Sequence, residues 1–203
     1  LVGSEMCIRD RKRAARTHRT VDRSRTAGVN ATHTWVVGSG GLLGASVTRE
    51  ARRRGHHVHT SAIPWSDRSL AEETLLQRCS AFFDSFRTGA WNVVWAAGAG
   101  VNGTSAAQFA EENDLIRTVL ARVESVAADR TDTGTVFLAS SAGGVYAGAP
   151  GAPHDEETPP IPLGDYGFAK LQSESVATEF GVRTGVNVVV GRFANIYGPG
   201  PVS

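Results

Sequence analysis

Tyr166 and Lys170 have the residue types and spacing needed for proton transfer beside a bound substrate. They occur in "DYGFAKLQSE", residues 165–174, where four-residue spacing places both side chains on one face of a helix. A tyrosine hydroxyl normally titrates near pH ~10, and a neighbouring ammonium lowers that pKa by favouring the phenolate. After residue 33 the chain has 12 arginines but one lysine, Lys170. We therefore interpret this lysine as a compact charge suited to serve a tyrosine and ribose hydroxyls together.

Two serines offer the third group of such a site. Ser140 and Ser141 end the apolar run "GTVFLASS", residues 134–141, which predicts a buried strand. Open α/β sheets bind ligands at the carboxyl ends of their strands, where a hydroxyl can donate to a substrate oxygen as negative charge develops. Either serine could supply that hydroxyl.

A glycine-rich turn, "GSGGLLG", separates the first predicted strand from the first predicted helix. Gly38, Gly41 and Gly44 follow one another at three-residue spacing. In a strand–turn–helix unit, one such glycine permits a tight turn, one lets the backbone approach a pyrophosphate, and one lets the helix pack on the strand. The pattern predicts a dinucleotide site at the helix amino terminus, and a purely structural turn is the alternative.

The second predicted strand does not indicate which dinucleotide binds. An acidic residue at its end would hold the ribose hydroxyls of NAD, but "VHTSAIPW" has none before Asp67, and no arginine marks a 2′-phosphate pocket. The cofactor is therefore NAD or NADP. Asp67 could contact the adenine end, or it could cap a helix. His57 and His59 lack a third metal ligand nearby, so we expect ordinary strand histidines and no metal site.

Strands and helices alternate along the chain, which predicts an α/β fold with a Rossmann-like doubly wound parallel sheet. Helices are predicted over 41–55, 69–87, 105–128 and 165–182, with a loop over 142–164. The predicted strands are 34–38, 56–62, 91–98, 134–141 and 186–193, with a very short additional strand at 63–65.

Charge separates the chain into two parts. Residues 1–33 hold eight Lys/Arg against three Asp/Glu, whereas the other 170 residues hold 13 against 17. We predict a disordered basic tail over 1–33, with no nucleic-acid binding because it has no aromatic side chain to stack on bases. Its start, "LVGSEMCIRDR", resembles translated sequencing-adapter DNA and is expected to be partly non-native. No apolar run is long enough to span a membrane, and we expect a cytoplasmic location.

Five ordered landmarks resemble the extended short-chain dehydrogenase/reductase superfamily, specifically its NAD-dependent epimerase/dehydratase family. They are "GSGGLLG", "VWAAGA", "SSAGGVYAG", "YGFAK" and "RFANIYGPG". The separation of 25 residues between Ser141 and Tyr166 suits the extended branch. The resemblance covers residues 34–200, and residues 34–203 are predicted to form one NAD(P)-binding domain.

This resemblance implies a role for each matching position. Tyr166 would be the general acid/base, Lys170 its electrostatic support and ribose contact, and Ser141 the hydroxyl that orients the substrate. Asn195 would reach the substrate, often a nucleotide sugar in this family. Asn113 matches an asparagine common in relatives, or is simply a polar residue of its helix. The residues expected to line the dinucleotide are Gly38, Gly41, Leu42, Gly44, Ala96 and Ala97.

The chain departs from the family pattern at three places. "SSAGGVY" is one residue longer than the commonest form, which keeps Ser140 as an alternative to Ser141. Trp95 replaces a smaller residue before the Ala-Ala pair. The chain stops shortly after Tyr197, so we expect the C-terminal substrate-binding part to be missing and the fragment to turn over poorly.

Two functions fit these motifs. The first is an NAD(P)-dependent epimerase, dehydratase or reductase acting on a nucleotide sugar or a related carbonyl or alcohol, with hydride transfer to or from the cofactor. The second is a non-catalytic dinucleotide-sensing regulator, which would not need the Tyr166–Lys170 pair. A homodimer through the helices at 105–128 and 165–182 is possible, but apolar faces on these helices equally suit the core.

Overall fold

The computed structural model describes residues 31–98 and 104–198. The basic tail therefore lies outside the described residues up to position 30, as do the glycine-rich stretch at 99–103 and the end of the "YGPG" landmark. In chain order the elements are β1 His33–Val37, α1 Leu42–Arg53, β2 His57–Thr60, α2 Arg68–Asp84, β3 Trp91–Trp95, α3 Ala106–Ala127, β4 Gly134–Ser141, α4 Ala142–Val145, α5 Asp165–Thr184 and β5 Asn187–Phe193.

The five strands form one parallel sheet in the order β2-β1-β3-β4-β5. From β1 the chain crosses through α1 to β2 on one side, and from β2 it crosses through α2 to β3 on the other side of β1. The strand order thus reverses between β1 and β3. In open α/β sheets the crevice at such a switch point, outside the carboxyl ends of the strands, is where ligands bind.

The core lies on one face of the sheet, beneath α2, α3 and α5. Alternate strand residues such as Trp35, Val93 and Leu138 point into it and are at most 2% exposed. α1 packs on β1 and β2 and contributes no residue to this core, so it lies on the opposite face. β1 is buried at every position, as a central parallel strand requires.

Three local features differ from the sequence prediction. Residues 63–65 form no strand, because the backbone makes turns instead: Trp65 N–H donates to the Ile63 carbonyl, and Asp67 N–H donates to the Pro64 carbonyl. Pro64 also has no N–H to donate to a neighbouring strand. The segment 142–164, predicted as a loop, contains the short helix α4. His33, assigned to the tail, is the first residue of β1.

The presence or absence of membrane-spanning helices and of metal-ligand groups, together with the burial of Cys79, bears on the class of protein that the sequence predicts. Among the described residues, no helix is both long and apolar enough to cross a bilayer. In the same residues, no group of three or more His, Cys, Asp or Glu side chains could hold a metal ion. Cys79 is fully buried in the core, and burial raises the pKa of its thiol to about 12.

A histidine cluster lies at the amino ends of β1 and β2, at the sheet edge opposite the switch-point crevice. His33 is 9% exposed and stacks between His57 and Phe86, with ring centroids 5.0 and 4.0 Å away. Its Nδ1 has no hydrogen-bond partner among the described residues. Burial lowers the pKa of His33, and the nearby charges of His57, His59 and Arg130 lower it further.

This cluster predicts an acid-sensitive fold. Since the folded state disfavours protonated His33, the unfolded chain binds more protons below about pH 6.5, and the free energy of unfolding falls as the pH drops through that value. The variant His33→Phe keeps a ring on Phe86 but cannot titrate. We expect it to lose less stability than the wild type between about pH 7.5 and 5.5, measured by urea denaturation at each pH.

His154→Phe is the matched control, because the His154 ring also lies against an aromatic ring, that of Tyr146, with a centroid separation of 4.9 Å. This control should keep the wild-type difference in stability between the two pH values. The same pH dependence in His33→Phe and the wild type would show that His33 is not its source.

Candidate active site

The turn between β1 and α1 contains three glycines with different surroundings. Gly38 has φ +84°, and a Cβ on it would lie 2.5 Å from the backbone nitrogen of Ala97. A Cβ on Gly44 would lie 2.1 Å from the carbonyl oxygen of Gly38. A Cβ on Gly41 would meet, of the described atoms, just that oxygen at 3.5 Å. The fold therefore requires Gly38 and Gly44, while the absence of a side chain at Gly41 leaves open space.

That open space lies in front of the amino terminus of α1. Gly41 is the N-cap of this helix, and no side chain caps it. The first N–H groups of an α-helix have no partner within the helix, and the positive end of the helix dipole lies there too. An anionic group such as a phosphate is therefore well matched to the backbone at Leu42 and the residues after it.

The carboxyl ends of β1 and β3 lie side by side next to this turn and line the switch-point crevice. The Ala96 N–H donates to the Val37 carbonyl at 2.9 Å, which continues the pairing of the two strands by one residue. Ala96 and Ala97 are half-buried. Their small side chains leave the switch-point crevice open at the place where the sequence predicts a dinucleotide.

Tyr166 and Lys170 lie on the same face of α5, as their spacing predicts. The Lys170 Nζ is 5.7 Å from the centroid of the Tyr166 ring. A Cβ on Gly98, which directly follows Ala97, would lie 3.3 Å from this Nζ. The lysine is 7% exposed. The ammonium is thus held at the carboxyl end of β3, beside both the tyrosine ring and the crevice.

The Lys170 ammonium has an anionic partner that sequence reasoning missed. Its Nζ donates to Glu112 Oε1 at 2.9 Å, across the contact between α3 and α5. One feature of the sequence could have identified Glu112. It lies three residues after Phe109 and four before Ile116, both buried, so a charged residue occupies the core-facing stripe of α3.

Asn113, the next residue, fixes α3 against α5. Its Nδ2 donates to the Ala169 carbonyl at 3.2 Å and to Gln172 Oε1 at 3.0 Å, and its Oδ1 accepts from the Ser173 hydroxyl. Asn113 is 2% exposed. Of the two interpretations offered for this asparagine, these contacts support a polar residue that joins two helices.

The two adjacent serines have different partners. Ser140 is buried, and its hydroxyl donates to Glu174 Oε1 at 2.5 Å. Glu174 also forms a bidentate ion pair with Arg192, whose Nη2 is 2.6 Å from Oε2. Ser141 is half-buried, and its Oγ accepts from the Gly144 N–H at 3.2 Å, which caps α4.

Ser141 and Tyr166 both border Gly144. A Cβ on this glycine would lie 2.9 Å from Cδ1 of the Tyr166 ring, so the ring packs directly on the α4 backbone. The Ser141 hydroxyl binds the amide of the same glycine. The structure therefore brings Ser141, Tyr166 and Lys170 to the carboxyl edge of β3 and β4, while the Ser140 side chain is occupied in the buried ion-pair network.

The remaining two predicted residues lie near the edges of this region. Asp67 is the N-cap of α2, and its side chain accepts from the Leu70 N–H at 3.0 Å. Helix capping was the alternative that the sequence left open for it. Asn195 is exposed in the segment that follows β5. The structure does not bring either side chain into contact with Tyr166 or Lys170 through any described interaction.

Comparison with known proteins identifies the family. The NAD dependent epimerase/dehydratase family matches residues 34–203. This match confirms the resemblance stated from the five landmarks, and it agrees with a nicotinamide dinucleotide as cofactor. A comparison with curated protein sequences found no match.

Solved structures with the same fold include several sugar-nucleotide enzymes. UDP-glucose 4-epimerase from Thermotoga maritima is 20% identical with a TM-score of 0.63, over 82% of this chain and 57% of that one. An NAD-dependent NDP-hexosamine 5,6-dehydratase of tunicamycin biosynthesis is 24% identical with a TM-score of 0.62, over 83% and 56%. UDP-glucuronic acid 4-epimerase from Bacillus cereus, in complex with NAD, is 18% identical with a TM-score of 0.61, over 82% and 58%.

These likenesses confirm the Rossmann-like parallel fold predicted from the sequence. The chain spans slightly more than half the length of each of the three solved proteins.

The glycine turn yields a prediction about stability. Gly38→Ala places a side chain at a positive φ and against the backbone at Ala97, so we expect a loss of at least about 2 kcal/mol in the free energy of unfolding. Gly40→Ala is the control, because a Cβ on Gly40 has no described atom within 4 Å. Chemical denaturation of the three proteins measures the difference. Equal stabilities for the two variants would contradict the assigned role of Gly38.

Proposed function

Since the chain belongs to the NAD dependent epimerase/dehydratase family, we propose that it is the dinucleotide-binding domain of an enzyme that epimerises or dehydrates a nucleotide sugar with NAD. The observation that carries this proposal is the Lys170 ammonium, buried at the carboxyl end of β3 and 5.7 Å from the centroid of the Tyr166 ring. A non-catalytic dinucleotide sensor has no use for this arrangement. The nucleotide-sugar substrate is suggested by the UDP-sugar and NDP-sugar enzymes that share the fold.

In this proposal the dinucleotide lies across the switch point between β1 and β3. The pyrophosphate is held at Gly41 and the backbone of Leu42, where the uncapped amino terminus of α1 meets open space. Gly38 and Gly44 shape the turn, and Ala96 and Ala97 line the cleft. When bound, NAD supplies a carbon that accepts a hydride and returns it.

The chain's own residues move the proton that accompanies the hydride. Tyr166 gives or takes the proton at its phenolic oxygen. Lys170 provides the neighbouring positive charge and contacts the cofactor ribose. Ser141 donates its hydroxyl to the substrate oxygen, stabilising the charge that develops there.

Ser141 suits this role better than Ser140. The Ser140 hydroxyl already donates to a buried carboxylate that is itself paired with Arg192. Moving it toward a substrate would leave Glu174 with one hydrogen bond fewer in a buried site. Ser141 is half-buried, and its hydroxyl lies next to Gly144, the glycine on which Tyr166 packs.

The remaining assignments rest on the sequence and on family resemblance. We propose Asn195 as a substrate contact because it is exposed just after β5, at the carboxyl edge of the sheet. Residues 34–203 form the NAD-binding domain in this proposal. The cytoplasmic location and the homodimer stay predictions.

Gly41→Val tests the dinucleotide site. The N-cap backbone, at φ −80° and ψ 165°, accepts a β-branched residue, but the new side chain would fill the space assigned to the pyrophosphate. We expect NAD affinity to fall by about tenfold or more, equivalent to about 1.4 kcal/mol. Binding can be followed by fluorescence, since Trp65 is 48% exposed and its ring centroid lies 6.5 Å from that of Trp95 at the end of β3.

Gly40→Val is the matched control, because it adds the same side chain one residue away, where a Cβ has no described atom within 4 Å. Its affinity should stay within about threefold of the wild type. Equal NAD affinity in Gly41→Val and the wild type would exclude this turn as the pyrophosphate site. Titration with NADP in parallel determines which of the two dinucleotides the chain prefers.

Tyr166→Phe tests the acid/base role. The substitution keeps the ring that packs on Gly144 and removes the hydroxyl, so we expect kcat on a nucleotide sugar to fall by about 10²- to 10⁴-fold. NAD affinity should change little. Turnover is measured in the longest form of the protein that its coding sequence encodes.

Tyr146→Phe serves as the control for a structural effect. Tyr146 donates its hydroxyl to the Asp155 carbonyl and accepts from Arg192 of β5, so its hydroxyl has structural partners outside the proposed proton transfer. This variant should lower stability without a comparable loss of kcat. A Tyr166→Phe rate within a few-fold of the wild type would rule out the catalytic tyrosine and favour the sensor.

A further inference from the structure

The carboxylate of Glu112 lies beside Lys170, the residue proposed above to contact the cofactor ribose and to support the proton transfer that accompanies hydride transfer at the nicotinamide. Its Oε1 accepts from the buried Lys170 Nζ at 2.9 Å, and the Glu112 side chain is 18% exposed. A Cβ on Gly98 would lie 3.4 Å from Oε1 and 3.3 Å from the ammonium. Both charges therefore face the carboxyl end of β3, one residue beyond the alanines that line the cleft.

Neither of the neighbouring carboxylates on α5, Glu174 and Asp165, forms an ion pair with Lys170. Glu174, one helical turn along α5, is paired with Arg192 and accepts from Ser140. Asp165 is exposed at the start of α5. α4 has no ionisable side chain, and neither do residues 96–103. Among the described residues, Glu112 is thus the carboxylate that balances the Lys170 charge at the cleft.

An unbalanced ammonium at this place would discriminate between the two redox forms of the cofactor. The nicotinamide ring is cationic in NAD⁺ and uncharged in NADH, so a nearby positive charge disfavours the oxidised form. Buried or half-buried charges act on one another much more strongly than charges in water. A carboxylate next to the ammonium removes this penalty while leaving the lysine free to donate its other protons.

We propose that Glu112 is a positioning residue that holds Lys170 at the end of β3 and, by neutralising it, lets the site bind NAD⁺ as readily as NADH. This inference rests on the proposed function. An enzyme that removes a hydride and then returns it needs both forms of the cofactor to remain bound. Glu112 serves that need through its charge and touches no reacting atom.

Glu112→Gln is the test, because glutamine keeps the length of the side chain and an oxygen that can accept from Lys170, but loses the negative charge. The dissociation constants of NAD⁺ and NADH are each measured by fluorescence titration. We expect the ratio Kd(NAD⁺)/Kd(NADH) to rise on the order of tenfold relative to the wild type. A change in packing alone would weaken both forms alike and leave the ratio unmoved.

Two further variants sharpen the result. Glu111→Gln removes the same charge from the neighbouring residue, which is exposed, and should keep the wild-type ratio. Glu112→Asp keeps the charge and should also keep the ratio close to that of the wild type, even if both affinities fall. Circular dichroism and thermal unfolding verify that each variant is folded.

The outcomes separate this inference from the function on which it rests. If the wild type binds neither NAD⁺ nor NADH, the proposed function fails and this inference with it. If the wild type binds both, and Glu112→Gln leaves the ratio within about twofold or lowers it, Glu112 has no such role although the function stands. If Glu111→Gln raises the ratio equally, the change in ratio comes from the net charge of the protein, and Glu112 has no specific role in it.

Discussion

A buried ammonium is the constraint on which the arrangement of this site depends. Removing Lys170 from water is costly unless an anion accompanies it, and breaking such a buried pair typically costs about 3–5 kcal/mol. Glu112 meets that requirement from a different helix, so α3 and α5 must pack in one register. Asn113 and its partners on α5 maintain the same register through hydrogen bonds. The position of the charge beside Tyr166 is therefore a property of the helix interface.

The sheet determines what this charge faces. Because β1 and β3 are parallel neighbours, the glycine turn after one strand and the Ala97–Gly98 pair after the other end at the same edge. Close backbone approach is possible there because Gly38 has no side chain to meet Ala97. β4 adds Ser141 and the short helix on which Tyr166 packs. Three loops distant in sequence thus form one concave edge, while the histidine cluster lies at the opposite end of the strands.

The alternation of a β-strand explains why two adjacent serines have different uses. Successive side chains point to opposite faces of the sheet, so Ser140 and Ser141 cannot serve the same site. One joins the Glu174–Arg192 ion pair beneath α5, and the other caps α4 at the edge of the cleft. The Ser140 hydroxyl is therefore already hydrogen-bonded within the buried network, and this network links β4 and β5 to α5. The different partners of Ser140 and Ser141 thus follow from the alternating direction of side chains along β4.

Sequence periodicity and short spacings determined most of the elements, the glycine turn and the common face of Tyr166 and Lys170, because these depend on residues close together in the chain. Tertiary structure alone decided that residues 63–65 form turns, that Asp67 caps α2, and which serine borders the cleft. It also placed Glu112 against Lys170, 58 residues away. A sequence shows that a charge lies on the core-facing stripe of a helix, but its partner is fixed only when two helices pack and exclude water from both groups.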